Sequence, residues 1–259
     1  MSVTFDFKGK NFVVVGASSG IGKQTALELS HSGANVLAIG RNLERLNELK
    51  KNSPVSLVKR PPKIFTEQLD VITATPDDWS EVLENFTSAV GRINGGVYTA
   101  GIWGLTPLNS FDESLAHKIF DTSFWGAVKF LQTATRKKFS DGGGSFVLMS
   151  SIASEFSGKS LFAYSAAKAA VQSAVKSFAA EIIRSKHRIN SVAPAFVKTE
   201  MMQNEIYAAS EEIISRHLLG LGTARDVAGM ILFLISDRAA WITGQNFFVD
   251  GGYIVGSYT

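Results

Sequence analysis

The sequence predicts an α/β fold, a doubly wound parallel sheet of about seven strands with helices on both faces. Three observations predict it. Short runs rich in Val, Ile and Phe, with no polar alternation, have the pattern of strands buried on both sides. Those runs alternate with longer segments of helical period, as parallel strands joined by crossover helices require. The first run also passes straight into a glycine-rich turn and a helix.

That first strand is Asn11–Gly16 (NFVVVG), followed by Ala17-Ser18-Ser19-Gly20-Ile21-Gly22 and a helix over Lys23–Ser32. Glycines at 16, 20 and 22 permit a tight turn, close ligand approach and close helix–strand packing. Free amides and the helix dipole converge there, so the turn suits a phosphate and the sheet is of Rossmann-like, dinucleotide-binding type. Asn35–Gly40 is the second strand and Asn42–Lys51 a helix, followed by a loop over Asn52–Ile64 broken by three prolines. Phe65–Val71 is the third strand. The Thr-Pro-Asp-Asp run at 75–78 starts a helix that reaches Val90. Gly95–Ala100 is the fourth strand, and Ile102–Leu105 an apolar loop of the kind that lines a pocket. One long helix is expected over Ser114–Phe139, with Arg136-Lys137-Lys138 in its last turn, then a turn at Asp141–Gly144. Ser145–Met149 is the fifth strand, a helix runs from about Leu161 to Ser185, and Arg188–Ala193 is the sixth strand, stopped by Pro194. Thr199–Leu221 is irregularly helical with Met201 and Met202, the composition of a lid over an apolar substrate. Arg225–Ser236 is the last helix and Gln245–Val249 the seventh strand. The pattern runs unbroken, so residues 1–259 are expected to form a single dinucleotide-binding domain with its lid at about 199–221.

Composition narrows the function. A formal net charge of +3 over 259 residues, with no basic stripe, gives no support to nucleic-acid binding. Cysteine is absent, which excludes disulfides and thiolate catalysis. The N-terminal MSVTFDFKGK lacks the apolar core of a signal peptide, and runs such as Met230–Ile235 are too short to span a bilayer. A cytoplasmic location without membrane contact is the expectation. The four histidines, at 31, 117, 187 and 217, have no metal-ligand spacing and read as surface or helix-end residues; no metal is expected.

The chemistry-bearing residues fall at one edge. Ligands of open α/β sheets lie beyond the carboxyl ends of the strands, where Gly16–Gly22, Arg41, Asp70, Gly101, Ser151 and Pro194 all fall. Tyr164 and Lys168, four residues apart on a helix, share one face about 6 Å apart. A neighbouring ammonium favours a phenolate and moves the phenol toward a useful range for acid–base work. At the end of the second strand, Gly40 followed by Arg41 replaces the carboxylate that would accept ribose hydroxyls. A guanidinium there suits a 2′-phosphate, so NADP(H) is favoured over NAD(H).

Taken together, GASSGIG at 16–22, Ser151, YSAAK at 164–168 and NSVAPAFVKTE at 190–200 resemble the short-chain dehydrogenase/reductase family, in its single-domain, ketoacyl-reductase-like branch. The resemblance spans nearly the whole chain. It implies hydride transfer between a nicotinamide and a small-molecule carbonyl or alcohol, interconverting a ketone and a secondary alcohol. It also implies that Tyr164 is the general acid or base, that Lys168 lowers its pKa and holds the nicotinamide ribose, and that Ser151 binds the substrate oxygen. Cofactor contacts carried over are Gly16, Ser18, Ser19, Gly20, Ile21 and Gly22 at the phosphates and Arg41, Asp70 and Val71 around the adenosine. Ala100 and Gly101 follow along the ribose, with Pro194, Val197 and Thr199 at the nicotinamide end. The substrate pocket is expected among Ile102, Trp103, Ile152, Phe156, Phe196, Met201 and Met202. A homodimer or homotetramer through the long helices and the apolar C-terminal strand is implied as well.

Four departures from the family pattern stand out. Val15 replaces a threonine and removes a turn-stabilising hydroxyl. Tyr98-Thr99-Ala100-Gly101 replaces Asn-Asn-Ala-Gly, and Pro194-Ala195 replaces Pro-Gly. Ser123 stands where the family has an asparagine that orders a water chain from the lysine to solvent, so it is the expected fourth catalytic position with an altered relay. Ser123 and Tyr98-Thr99 motivate a rival reading, a non-catalytic NADP(H)-binding scaffold or redox-sensing protein. Ser151, Tyr164 and Lys168, which binding alone would not require, oppose it.

Overall fold

The computed structural model describes residues 4–52, 63–202 and 211–256. Most of the Asn52–Ile64 loop and residues 203–210 of the expected lid lie outside the described residues. The strands are β1 (Asn11–Val15), β2 (Asn35–Gly40), β3 (Ile64–Gln68), β4 (Ile93–Tyr98), β5 (Ser140–Met149), β6 (Arg188–Pro194), β7 (Val197–Lys198), β8 (Gly222–Thr223) and β9 (Asn246–Val249). Seven of them form one parallel sheet in the order β3-β2-β1-β4-β5-β6-β9, as the sequence predicts. From β1 the chain winds outward to β3 and then returns to build the other half from β4. The crevice opens where those directions part, at the carboxyl ends of β1 and β4.

Helices α1 (Gly20–His31), α2 (Leu43–Lys51) and α8 (Ala224–Ile235) pack on one face of the sheet, and α3 (Pro76–Val90), α5 (Gly126–Ala134) and α6 (Phe162–Ile182) on the other. The strand period of two divides the apolar residues between them. Val13 and Val15 join Trp79, Phe86, Phe130 and Val171, while Phe12 and Val14 join Leu29, Leu49 and Ile231. Both faces are dry, so β1 shows no polar alternation. The start of α3 is a capping box: the Thr75 hydroxyl accepts from Asp78 N at 3.2 Å, and the Asp78 carboxylate accepts from Thr75 N at 2.8 Å. The acids of that turn are structural.

The structure corrects several boundaries. β3 stops at Gln68, so Asp70 and Val71 sit in the following turn; there Asp70 accepts from Ile72 N at 3.0 Å, and the Lys129 ammonium donates to Ile72 O at 2.8 Å. β5 begins at Ser140 and includes the expected turn, because Gly142 (φ 96°) and Gly143 (φ 70°) take left-handed conformations beside a shift of register against β4. The β7–β8 pair is an additional small parallel ribbon.

The expected helix over Ser114–Phe139 is broken. α4 (Glu113–Phe120) passes through a π turn at Asp121–Trp125 into α5, which ends at Ala134 and leaves the basic triplet beyond it. The cause lies in the sheet. Tyr98, at the end of β4, donates its hydroxyl to Thr122 O at 2.6 Å, a carbonyl made available by the wider turn. A Cβ on Gly126 would lie 2.1 Å from that hydroxyl, so the phenol fits only against glycine. Gly126→Ala should therefore lose about 1–3 kcal/mol of unfolding free energy in urea titration. Wild-type stability would contradict this seating of Tyr98.

Candidate active site

The turn from β1 to α1 is fixed by close backbone contacts. Gly16 and Ala17 donate to Ile39 O at 2.8 and 3.0 Å. Gly16 has φ +87°, and a Cβ on it would lie 2.6 Å from Ala100 N; a Cβ on Gly22 would lie 2.3 Å from Gly16 O. Only glycine fits at either position. The hydroxyl lost at Val15 is supplied from across the crevice, where Thr99 Oγ1 donates to Val15 O at 2.8 Å. Ser19 caps α1 without a side-chain bond, and no acid occupies the first turn. The first-turn amides and the positive end of the helix dipole are thus left for an anion. This cradle fits the diphosphate of a dinucleotide.

At the adenosine end, a Cβ on Gly40 would come within 3.3 Å of the Ser18 side chain, so a carboxylate there would crowd the turn. Arg41 is exposed at the cleft, with its carbonyl accepting from Gln68 Nε2 at 2.9 Å. One helical turn on, Arg45 also lines the cleft and pairs with Glu200 at 2.8 Å, both about half exposed. Sequence reading missed Arg45, although the Arg-x-x-x-Arg spacing at 41 and 45 was there to be read. An ion pair so exposed adds little stability.

The whole cleft, cradle included, encloses about 660 Å³. Its wall includes every residue expected at the cofactor and in the substrate pocket, apart from Ser123 and Met202. The side chain of Met202 lies outside the described residues. Leu161, Ile213 and Tyr253 line the substrate half as well and were not foreseen. The charged lining residues among those described are Arg41, Arg45, Asp70 and Lys168. The first three belong to the adenosine end, so among the described residues the substrate half is lined by no charged residue beyond Lys168.

Tyr164 and Lys168 stand in the first two turns of α6. The Lys168 ammonium lies 5.7 Å from the Tyr164 ring centre and donates to Met149 O at 3.0 Å, while Ser150 Oγ donates to Lys168 O at 3.0 Å. The helix is thus tied at two points to the end of β5. Ser151 caps the short turn that follows, its hydroxyl accepting from Ala153 N at 3.2 Å. Burial raises the Tyr164 pKa above that of an ordinary phenol, and a hydrogen bond with Ser151 opposes the shift. Burial also lowers the Lys168 pKa to about 8. In the enclosed cleft desolvation dominates both groups.

Ser123 is the expected fourth catalytic position. It stands behind the cleft wall, 2% exposed and with no hydrogen-bond partner. A Cβ on Gly101 would lie 3.6 Å from its hydroxyl and 3.3 Å from Lys168 Nζ, so the glycine keeps a narrow space between them. The histidine expectation fails at two of four positions. His187 and His217 are buried at 1% and 4% exposure, and each accepts a backbone N–H, from Gly144 and Phe196 respectively. Among the described residues no helix is long and apolar enough to cross a membrane, and no cluster of His, Cys, Asp and Glu could hold a metal ion.

A glycine-lined anion cradle at a topological switch point, beside a half-buried tyrosine and a buried lysine, defines a nicotinamide-dinucleotide oxidoreductase. The comparisons agree. The model of a family described as enoyl-(acyl carrier protein) reductase matches residues 16–254. The chain is 32% identical over 249 residues to the 3-oxoacyl-(acyl-carrier-protein) reductase of Thermotoga maritima, covering 96% of this chain and 99% of that protein. It is 31% identical over 253 residues to carbonyl reductase (NADPH) 2 of Sus scrofa, covering 96% and 98%. A short-chain type dehydrogenase/reductase from Mycobacterium ulcerans aligns with a TM-score of 0.88 at 31% identity, over 97% of this chain and 92% of that one. The chain belongs to the short-chain dehydrogenase/reductase family, oxidoreductases that use a nicotinamide dinucleotide and act on small molecules.

The Lys168 shift makes the stability of the cofactor-free protein depend on pH. Between about 8 and about 10 the unfolded chain holds this proton and the folded chain does not. Unfolding free energy should therefore rise across that window, by roughly 2–3 kcal/mol. Above it Tyr164, with its pKa raised, acts in the opposite sense, because unfolded tyrosine ionises first. Chemical denaturation from pH 7 to 10 should show the rise in wild type and not in Lys168→Met; a parallel profile would contradict the burial of the ammonium.

Proposed function

We propose that this chain is an NADP(H)-dependent oxidoreductase of the carbonyl reductase type, interconverting an apolar ketone and its secondary alcohol, with Tyr164 as the acid and base. One observation carries the proposal: the Tyr164 phenol, hydrogen-bonded to Ser151, shares a wall with the glycine cradle in one continuous cleft. When bound, the dinucleotide supplies or accepts the hydride. The chain supplies the rest. The glycine turn and the α1 amides hold the diphosphate. Asp70, Val71, Ala100 and Gly101 flank the adenosine and ribose; Pro194, Val197 and Thr199 close the nicotinamide end. Ser151 directs its hydroxyl to the substrate oxygen.

Tyr164 keeps its proton at neutral pH because burial disfavours the phenolate, so it is poised to donate to the oxygen of a carbonyl undergoing reduction. In the reverse direction it takes the proton from the alcohol. Lys168 still carries a proton at neutral pH, since its pKa is about 8. Its charge stabilises the phenolate formed at donation and can return a proton to it. Ser123, beside Gly101, is where the path from Lys168 toward solvent would continue, with a shorter side chain than asparagine offers.

Arg41 and Arg45 support the preference for the phosphorylated cofactor, each able to take a 2′-phosphate on a planar fork. A substrate half whose described lining carries no charge beyond Lys168 supports a neutral, apolar ketone. The half-buried edge strand β9 and the half-exposed Trp125 support self-association as a dimer or tetramer. Tyr98 and Thr99, which motivated the binding-only reading, both have hydrogen bonds of their own in the frame, and this favours the enzymatic reading.

Two variants test the proposal. Tyr164→Phe should lose at least about 1,000-fold in kcat toward a panel of cyclic, acyclic and thioester ketones, with NADPH affinity within twofold of wild type; retained turnover would refute the acid. Arg41→Ala should weaken NADPH binding about tenfold or more and leave NADH nearly unchanged, as read by cofactor fluorescence titration. Equal losses for both cofactors would refute the preference.

A further inference from the structure

We propose that His217 is a positioning residue for the substrate half of the cleft, holding three segments of its wall in register from behind. The proposal rests on the carbonyl reductase reading above. His217 is 4% exposed and does not itself line the cleft. Its ring reaches three residues that do: Phe196, in the loop after β6; Ile213, in α7 (Glu211–Ser215); and Tyr253, which opens α9 (Tyr253–Gly256). Nε2 accepts from the Phe196 N–H at 3.3 Å, and Nδ1 lies 3.1 Å from Ile213 O. The ring packs on Tyr253 with centroids 4.8 Å apart and meets Phe196 edge-on at 5.6 Å.

The two polar contacts fix one state of the ring. Nε2 faces a donor and must offer its lone pair; Nδ1 faces a carbonyl and must carry the hydrogen. Neutral imidazole in a single tautomer meets both conditions, which a purely space-filling ring cannot do.

The neighbouring backbone shows why this matters at Phe196. Ala195 N donates to Val249 O at 3.3 Å, and Phe196 O accepts from Gly222 N at 3.2 Å. The loop is thus anchored by main chain on both sides, and the Phe196 N–H is the group whose bond comes from a side chain. Without it the Phe196 peptide is free to turn, and the ring it carries shifts in the cleft. The diphosphate cradle and the adenosine end make no contact with His217. Its loss should therefore be felt by the ketone and not by the dinucleotide.

His217→Phe keeps a ring and removes the acceptor, whereas His217→Gln restores an amide oxygen near the position of Nε2. Cyclohexanone and ethyl acetoacetate serve as probes with NADPH. We expect His217→Phe to raise the ketone KM about three- to tenfold, the worth of one such hydrogen bond, with NADPH affinity within twofold of wild type. His217→Gln should return KM to within about twofold. Amide hydrogen exchange over residues 195–197 should quicken in His217→Phe and be restored in His217→Gln. Unchanged exchange and KM in His217→Phe would overturn the proposal. So would equal losses in both variants accompanied by weaker NADPH binding, which would mark a merely structural residue. If wild type binds NADPH but reduces neither ketone, the functional reading fails for these substrates, and the exchange experiment alone decides whether His217 holds Phe196.

Discussion

A protonated amine held in a dry cleft is the constraint on which the rest of the site depends. Lys168 is 3% exposed, and among the described residues its ammonium donates to the carbonyl of Met149. Holding that charge out of water is unfavourable, which is why its pKa is depressed. The surrounding structure is arranged to keep the amine in place in spite of the cost. Ser150 ties the backbone of Lys168 to the strand end, and Gly101 has no side chain to displace the ammonium. The burial that penalises the lysine also penalises a tyrosinate. The pair is therefore best understood as two groups whose proton affinities, close to each other in water, are driven apart: the phenol rises and the amine falls, so return of a proton from the ammonium to a tyrosinate becomes downhill.

The departures from the family pattern form a connected set. With Val15 buried in the sheet layer, the hydroxyl that stabilises the first turn comes from Thr99, next to Tyr98. Tyr98 then extends its phenol under the helix opposite, bonds to Thr122 O, and requires glycine at 126. The π turn that offers this carbonyl also carries Ser123. Three of the four departures, which look independent along the sequence, thus meet where β1, the end of β4 and the π turn adjoin.

The fold was legible because both sheet faces are apolar. Runs such as NFVVVG and NVLAIG can be little other than doubly buried strands, and the capping signal at Thr75–Asp78 is local. The glycine turn, Ser151, Tyr164 and Lys168 were legible for a related reason: their chemistry is carried by residue type and short spacing. What the sequence hid was set by tertiary contacts. The break in the Ser114–Phe139 helix depends on a tyrosine from a distant strand. The dominance of desolvation over charge proximity depends on how the cleft is enclosed. His187 and His217 looked like surface residues, because a lone histidine carries no sign of the backbone N–H that will meet it.

The two halves of the cleft select their ligands by different physics. At the adenosine end the cations are exposed, so discrimination there is electrostatic and weakens as salt screens it. Among the described residues the substrate half is lined by no charge beyond Lys168 and offers apolar and aromatic surface with hydroxyls that include those of Ser151, Tyr164 and Tyr253. Selection there must rest on shape and buried apolar area, and a pocket of this kind separates close homologues by only about 1–3 kcal/mol per methylene. Such small differences are kept only if the wall does not move. A wall built from a loop, a short helix and a C-terminal turn has little rigidity of its own. The buried polar contacts behind it, those of His217 among them, therefore matter to specificity as much as the side chains a substrate would touch.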